Sequence, residues 1–188
     1  VGVGGKALKN RAVFLDRDGV LNRAVVRNGK PLPPASAAEL EVVPDGPAAL
    51  RDLRAQGFKL LVATNQPDVA KGVATRRAVE EMHAKLAESL PVDDFLVCYH
   101  QDSDACACRK PKPGLLLDGA RKYDVDLQQS FMIGDRWRDV EAGQAAGCRT
   151  VLIFGGYDEK EPARPADATV KSLREAADWI LQECRRGA

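Results

Sequence analysis

Apolar residues along this chain follow two rhythms. Short, nearly continuous apolar runs alternate with longer stretches in which apolar positions recur every three or four residues. The runs at Ala12–Leu15, Lys59–Ala63, Phe95–Tyr99, Phe131–Ile133 and Thr150–Ile153 predict strands. The stretches Pro47–Gln56, Arg76–Leu90, Gly114–Tyr123, Arg138–Ala146 and Leu173–Glu183 predict helices. Local punctuation agrees. Gly57 and Gly147 follow helical stretches, where a left-handed cap is wanted. Pro47 suits a first helical turn, and Ser172 with Glu175 has capping-box spacing.

Strands that are apolar on both faces, alternating with helices, predict a mainly parallel sheet covered on each side. The fold class is α/β, a three-layer Rossmann-like sandwich. Such sheets take ligands beyond the carboxyl ends of their strands. The polar motifs stand there: Asp16 and Asp18, Thr64-Asn65-Gln66, the segment from Cys98 to Lys112, and Gly134-Asp135. Two stretches fit no regular element. Asn22–Pro44, with Pro31, Pro33 and Pro34, reads as a long flap over this rim. Gly155–Pro165 reads as an exposed connection.

Length and charge narrow the picture. With 188 residues, one domain over 12–188 behind a flexible lead-in over 1–11 is expected. A net charge of +1 gives no global attraction to nucleic acid or anionic membrane, so any anion site must be local. No apolar run reaches the roughly 18–20 residues of a membrane span. A cytoplasmic monomer with no nucleic-acid or membrane partner is the expectation.

The candidate chemistry begins at Asp16-Arg17-Asp18-Gly19, where a buried strand empties into two carboxylates. Close acids at a desolvated strand mouth repel, and a divalent cation relieves them. Asp16, Asp18 and Asp135 are the expected magnesium ligands. Lys110 and the cation would offset a phosphoryl dianion, with Thr64 and nearby amides holding its remaining oxygens. Asp16 could then attack phosphorus to form an aspartyl-phosphate. Asp18 would protonate the leaving alcohol and later deprotonate water. Asn65, Arg109 and Arg136 are the expected substrate contacts. A bisphosphate would leave a second phosphate at the mouth, for Arg109 with Arg136 or Lys71.

Five cysteines are present, three of them between positions 98 and 108. Cys98, His100, Cys106 and Cys108 make a full tetrahedral zinc set, which favours a structural role and predicts a pinned loop carrying Arg109 and Lys110. His83 reads as an exposed helical residue.

The Asp16, Thr64, Lys110 and Gly134-Asp135-Arg136-Trp137-Arg138-Asp139 motifs occur in this order, and with them the sequence resembles the haloacid-dehalogenase-like phosphatases. The resemblance implies that Asp18 also gives its backbone carbonyl to the metal, and that Asp139 holds a metal-bound water. Cys-x-His followed by Cys-x-Cys-Arg-Lys-Pro resembles a subgroup that has no large cap domain. It holds the D-glycero-D-manno-heptose 1,7-bisphosphate phosphatases and the histidinol-phosphatases. There the counterparts of Arg109 and Lys110 bind the substrate's phosphate side. Release of the 7-phosphate of the heptose bisphosphate is the leading expectation and histidinol phosphate the rival. A nucleic-acid 3′-phosphatase and a non-catalytic zinc module are the remaining alternatives.

Overall fold

The computed structural model describes residues 9–27 and 30–186, with the backbone alone at 26–27 and 30–31. Six strands form one sheet. They are β1 (Arg11–Leu15), β4 (Phe58–Asn65), β5 (Asp94–Cys98), β6 (Phe131–Gly134), β7 (Arg149–Ile153) and β8 (Ala168–Val170). Every pairing is parallel, in the order β5-β4-β1-β6-β7-β8. The remaining strands, β2 (Val25–Arg27) and β3 (Lys30–Leu32), pair antiparallel as a separate ribbon. Helices are α1 (Gly46–Ala55), α2 (Arg76–Ser89), α3 (Gly114–Tyr123), α4 (Trp137–Ala146) and α5 (Leu173–Arg186).

The sheet sorts its side chains by period two, as pleating requires. Val13, Leu15, Leu60, Val62 and Ile133 face a core completed by Leu50, Leu53, Val79, Leu86, Ala176 and Ile180, from α1, α2 and α5. Ala12, Phe14, Leu61, Ala63 and Met132 face a second core closed by Leu115 and Leu116 of α3. Strand β1 lies at the sheet centre, and its residues from Ala12 to Leu15 have no exposure. The strand that delivers Asp16 is thus paired on both edges and covered on both faces.

All five predicted strands and five predicted helices form, with ends shifted by at most a few residues. Of the expected lead-in, residues 1–8 lie outside the described residues. Asn10 exchanges backbone hydrogen bonds with Asp124 and Asp126, and Arg11 already belongs to β1. The Asn22–Pro44 stretch is not wholly a loop, since it contains the β2–β3 ribbon. At the last helix, Ser172 Oγ accepts from the Glu175 N–H at 3.2 Å, but the Glu175 carboxylate reaches the Lys171 N–H at 2.9 Å. The expected box closes one residue early.

Candidate active site

Strands β1, β4 and β6 are neighbours, so their carboxyl ends place Asp16, Thr64 and Asp135 on one rim. Lys110 arrives from the loop between β5 and α3 and lies almost fully buried beneath them. Its ammonium reaches the Ala63 carbonyl at 2.7 Å, Asp16 Oδ1 at 2.9 Å and Asp139 Oδ1 at 2.5 Å. Those three acceptors use all of its N–H groups. Burial opposes a charged lysine, yet the charges of Asp139 and Asp16 outweigh it and push the Lys110 pKa upward. Lys110 is therefore a fixed cation.

Asp139 stands in the first turn of α4, and both of its oxygens are engaged by the protein. Its Oδ1 holds Lys110, and its Oδ2 accepts the Arg136 N–H at 3.1 Å, capping the helix. Gly134 is required for this approach, because a side chain there would overlap the Asp139 carboxylate. Gly19 is required twice over. It sits at φ +85°, and a Cβ would overlap the Asp135 carboxylate.

Carboxylate oxygens of Asp16, Asp135 and Asp139 gather within 4.8 Å of one another. Against one lysine, these acids leave two negative charges uncompensated. The electrostatic strain is visible in Asp16 and Asp135. Burial pushes Asp16 up to about 6 even though Lys110 pulls it down. Burial and the charges of Asp16 and Asp139 push Asp135 well above the usual carboxylate range. Both Asp135 oxygens are buried without a hydrogen-bond partner among the described residues. A hard divalent cation taking oxygen ligands fits this donor set and removes the imbalance.

The Asp18 side chain turns away from that cluster. Arg17 holds it through Nε at 3.1 and 3.2 Å and through Nη2 at 2.9 Å. Gln66 Nε2 and Asn22 Nδ2 add bonds at 3.0 and 3.1 Å. Thr64 is buried, and its hydroxyl accepts from Gln66 Nε2 at 2.9 Å. Asn65 is occupied with Lys110, donating to its carbonyl at 3.0 Å and accepting from its N–H at 3.1 Å. Arg17 and Asn22 are not among the expected site residues, and Gln66 is expected only as part of a polar strand end. An arginine between two carboxylates, next to a buried strand, was the available signal.

His83 overturns its expectation. It is buried, stacked on Phe95 at 4.4 Å, with Nε2 3.4 Å from Arg17 Nη1. Burial, followed by the Arg17 charge, pulls its pKa down from 6.5 to about 4. The unfolded chain thus binds a proton between pH 6.5 and 4 that the folded chain refuses. Stability must fall as pH drops through that window, by on the order of 3 kcal/mol at most for this group. Urea unfolding of wild type and His83→Gln at pH 7 and pH 4 checks this. The variant is expected to lose less stability on acidification.

The four zinc-type donors also converge. Sulfur–sulfur distances among Cys98, Cys106 and Cys108 are 3.1–3.7 Å, and His100 Nδ1 lies 3.7 Å from Cys98 and 3.3 Å from Cys108. A tetrahedron with zinc–sulfur bonds near 2.3 Å places its sulfurs about 3.8 Å apart, so a modest expansion accepts the metal. The cluster joins the end of β5 to the segment carrying Arg109 and Lys110.

Above Asp16 opens a cleft of about 340 Å³. Lys71, Arg109, Arg136 and Arg138 border it, with Leu32 and Pro33 from the flap. Arg109 and Arg138 are steadied by Asp102, at 2.8 and 3.3 Å. Arg136 pairs with Glu159. The Gly155–Pro165 stretch is therefore not merely an exposed connection. It also brings the Tyr157 hydroxyl beside Asp135, whose charge, after burial, raises the phenol's pKa.

Comparison with known proteins agrees with this geometry. The sequence model described as "HAD-hyrolase-like" matches residues 107–176. A D-glycero-beta-D-manno-heptose-1,7-bisphosphate 7-phosphatase of Helicobacter pylori is 34% identical over 179 residues, covering 91% of this chain and 97% of the relative. A D-glycero-alpha-D-manno-heptose-1,7-bisphosphate 7-phosphatase of Mycobacterium bovis is 36% identical over 180 residues, covering 88% of each. The crystal structure of the D,D-heptose 1,7-bisphosphate phosphatase of Bordetella bronchiseptica, complexed with magnesium and phosphate, superposes with a TM-score of 0.75. Its identity is 32%, and the match covers 92% of this chain and 99% of that one. With a sheet of the same kind and relatives matched along nearly their whole length, the chain belongs to the heptose-1,7-bisphosphate 7-phosphatases, phosphoric monoester hydrolases among the haloacid-dehalogenase-like hydrolases.

Proposed function

We propose that this enzyme removes the 7-phosphate of D-glycero-D-manno-heptose 1,7-bisphosphate through an aspartyl-phosphate. The observation that carries the reading is the unbalanced carboxylate cluster at the floor of a cleft with a cationic rim. Asp16, Asp135 and the Asp18 backbone carbonyl would hold magnesium, which would neutralise charge at the phosphoryl oxygens and at the attacking carboxylate. Zinc on Cys98, His100, Cys106 and Cys108 pins the loop behind Lys110.

Each protein group then has one task. Lys110, held between Asp16 and Asp139, offsets the phosphoryl charge as a fixed cation beneath the site, and the Thr64 hydroxyl proton meets a phosphoryl oxygen. Asp16 attacks phosphorus as the ester P–O bond breaks, so the seventh-position oxygen leaves as an alkoxide. Asp18 gives that oxygen a proton. The Asp18 carboxylate so formed takes a proton from water, the water oxygen bonds to phosphorus, and Asp16 departs as a carboxylate. Asn65 contributes by fixing the Lys110 peptide. Arg109, with Arg136, Arg138 or Lys71, is left to receive the second phosphate.

The rim also decides between the two metabolites. Histidinol phosphate would bring an ammonium and an imidazole toward this arginine- and lysine-bordered mouth. Among the described residues, the flap brings Leu32 and Pro33 to the cleft, not an acid or an aromatic ring. Asp68 and Asp102 line the cleft but are paired with Lys71 and with Arg109 and Arg138. Loss of one well-placed charged contact is worth about 2–3 kcal/mol, so kcat/KM for the heptose bisphosphate should exceed that for histidinol phosphate by about 100-fold. Steady-state phosphate release from both compounds, with magnesium present, measures the ratio. A ratio below one reverses the assignment. The matched relatives include enzymes for both anomers, and assaying each anomer in the same series ranks them.

A further inference from the structure

His83 lies on α2, away from the cleft, yet it touches the arginine that holds the candidate acid. Arg17 has no exposed surface. Its Nε–H faces Asp18, and its Nη2 hydrogens go to Asp18 at 2.9 Å and Gln66 Oε1 at 3.1 Å. For Nη1, the acceptor among the described residues is His83 Nε2 at 3.4 Å. An arginine lacks any acceptor atom, so Nε2 must carry the lone pair and the ring proton must sit on Nδ1. The stack on Phe95, at an interplanar angle of 12°, fixes the ring plane. Burial together with the adjacent guanidinium keeps the ring neutral near pH 7.

We propose that His83 is a positioning residue for Asp18, acting through Arg17. The neutral ring anchors the far end of a buried guanidinium, and the near end sets the direction of the Asp18 carboxylate. Without the anchor, Nη1 is buried with an unmet hydrogen bond, and Arg17 rotates to find a partner. Asp18 then loses its alignment with the leaving oxygen, where a displacement of about 1 Å costs about 100-fold. This inference rests on Asp18 as general acid, as read above.

The test separates positioning from mere support of the fold by varying the leaving group. Protonation matters greatly for an alkyl phosphate and little for 4-nitrophenyl phosphate, whose phenolate leaves unaided. Because kcat/KM runs from free enzyme and substrate through the first irreversible step, it includes leaving-group protonation and leaves out the later hydrolysis of the aspartyl-phosphate. His83→Leu should lower kcat/KM for a sugar phosphate by about 30–100-fold and that for 4-nitrophenyl phosphate by less than about threefold. His83→Gln places a carbonyl where Nε2 stood and should recover most of the loss. His83→Asn places its carbonyl nearer the Nδ1 position and should not recover it. Equal losses on both esters, or equal behaviour of Gln and Asn, overturn the inference. Asp18→Asn is assayed beside them. If it harms both esters equally, the Asp18 assignment falls and the inference with it. If Asp18→Asn is ester-selective and His83→Leu is not, the inference alone fails.

Discussion

Asp16→Asn is expected to lower phosphatase turnover by on the order of 10⁴-fold or more while leaving the fold intact. The amide has the carboxylate's shape and cannot act as the nucleophile at phosphorus, and loss of a covalent nucleophile acts on this scale. The prediction has a second, less obvious half. Asp16 is held at about 6, above its ordinary 3.8, chiefly because burial disfavours its charge. A carboxyl whose pKa is raised on folding costs stability as pH climbs from 3.8 through 6, since the unfolded chain ionises first. Near pH 7, then, the metal-free wild type carries a charge that its fold resists, and Asp16→Asn removes it. Without divalent ions the variant should melt no lower than wild type. With magnesium the order should reverse, because wild type gains from ligation and the variant has lost a charged ligand. Thermal melts with EDTA and with excess magnesium, beside a phosphate-release assay, read both halves. Substantial residual turnover removes Asp16 from the nucleophile's role. A magnesium response equal to wild type removes it from the ligand set.

The rim was legible in the sequence because its chemistry interrupts strong local patterns. Asp16, Thr64 and Asp135 each end an apolar run, so strand prediction and site prediction are the same act. The helices were legible for the same reason, and α3 spans Gly114–Tyr123 as expected. What escaped is what periodicity cannot carry. Each strand of the β2–β3 ribbon has three residues, and Pro31 within β3 has no N–H to donate. Strand β8 is a three-residue edge whose pairing with β7 depends on the helix layout. Burial of charge escaped as well. Arg17 is polar in any scale, and only the approach of α2 and β5 shows that it is enclosed. His83 is a polar residue on an amphipathic helix until Phe95 is seen beneath it. Asp139 was legible as the last acid of the Gly134–Asp139 motif, but its bond to Lys110 spans 29 residues and belongs to the tertiary structure.

Cys108→Ser should lower the melting temperature by about 10 °C and weaken phosphate binding, although Cys108 touches none of the cleft's acids. The segment between β5 and α3 has little with which to hold itself. It contains one three-residue 3-10 turn, at Asp102–Asp104, and few apolar side chains. Its order comes from polar ties: Lys112 Nζ to the Ala105 and Cys106 carbonyls at 3.2 and 2.7 Å, and Arg109 to Asp102 at 2.8 Å. Exposed ties of this kind contribute little individually. A tetrahedral metal joining Cys98 on β5 to His100, Cys106 and Cys108 would add a rigid frame to that weak set. Structural zinc in small peptides contributes about 10 kcal/mol or more, and a serine in place of one thiolate forfeits part of that. A loss of about 3–4 kcal/mol, at about 2–4 °C per kcal/mol for a chain of this size, gives the stated shift. The functional consequence follows from chain geometry. Arg109 and Lys110 come directly after Cys108, and the Asn65 clamp on the Lys110 peptide depends on that peptide being in place. Lys110 should then be less firmly seated between Asp16 and Asp139, so KM and the inhibition constant of inorganic phosphate should both rise several-fold. Metal content by mass spectrometry, a melt, and phosphate inhibition kinetics on wild type and variant make the comparison. If all three match, the cysteine cluster has no structural metal to hold, and the loop owes its order to something else.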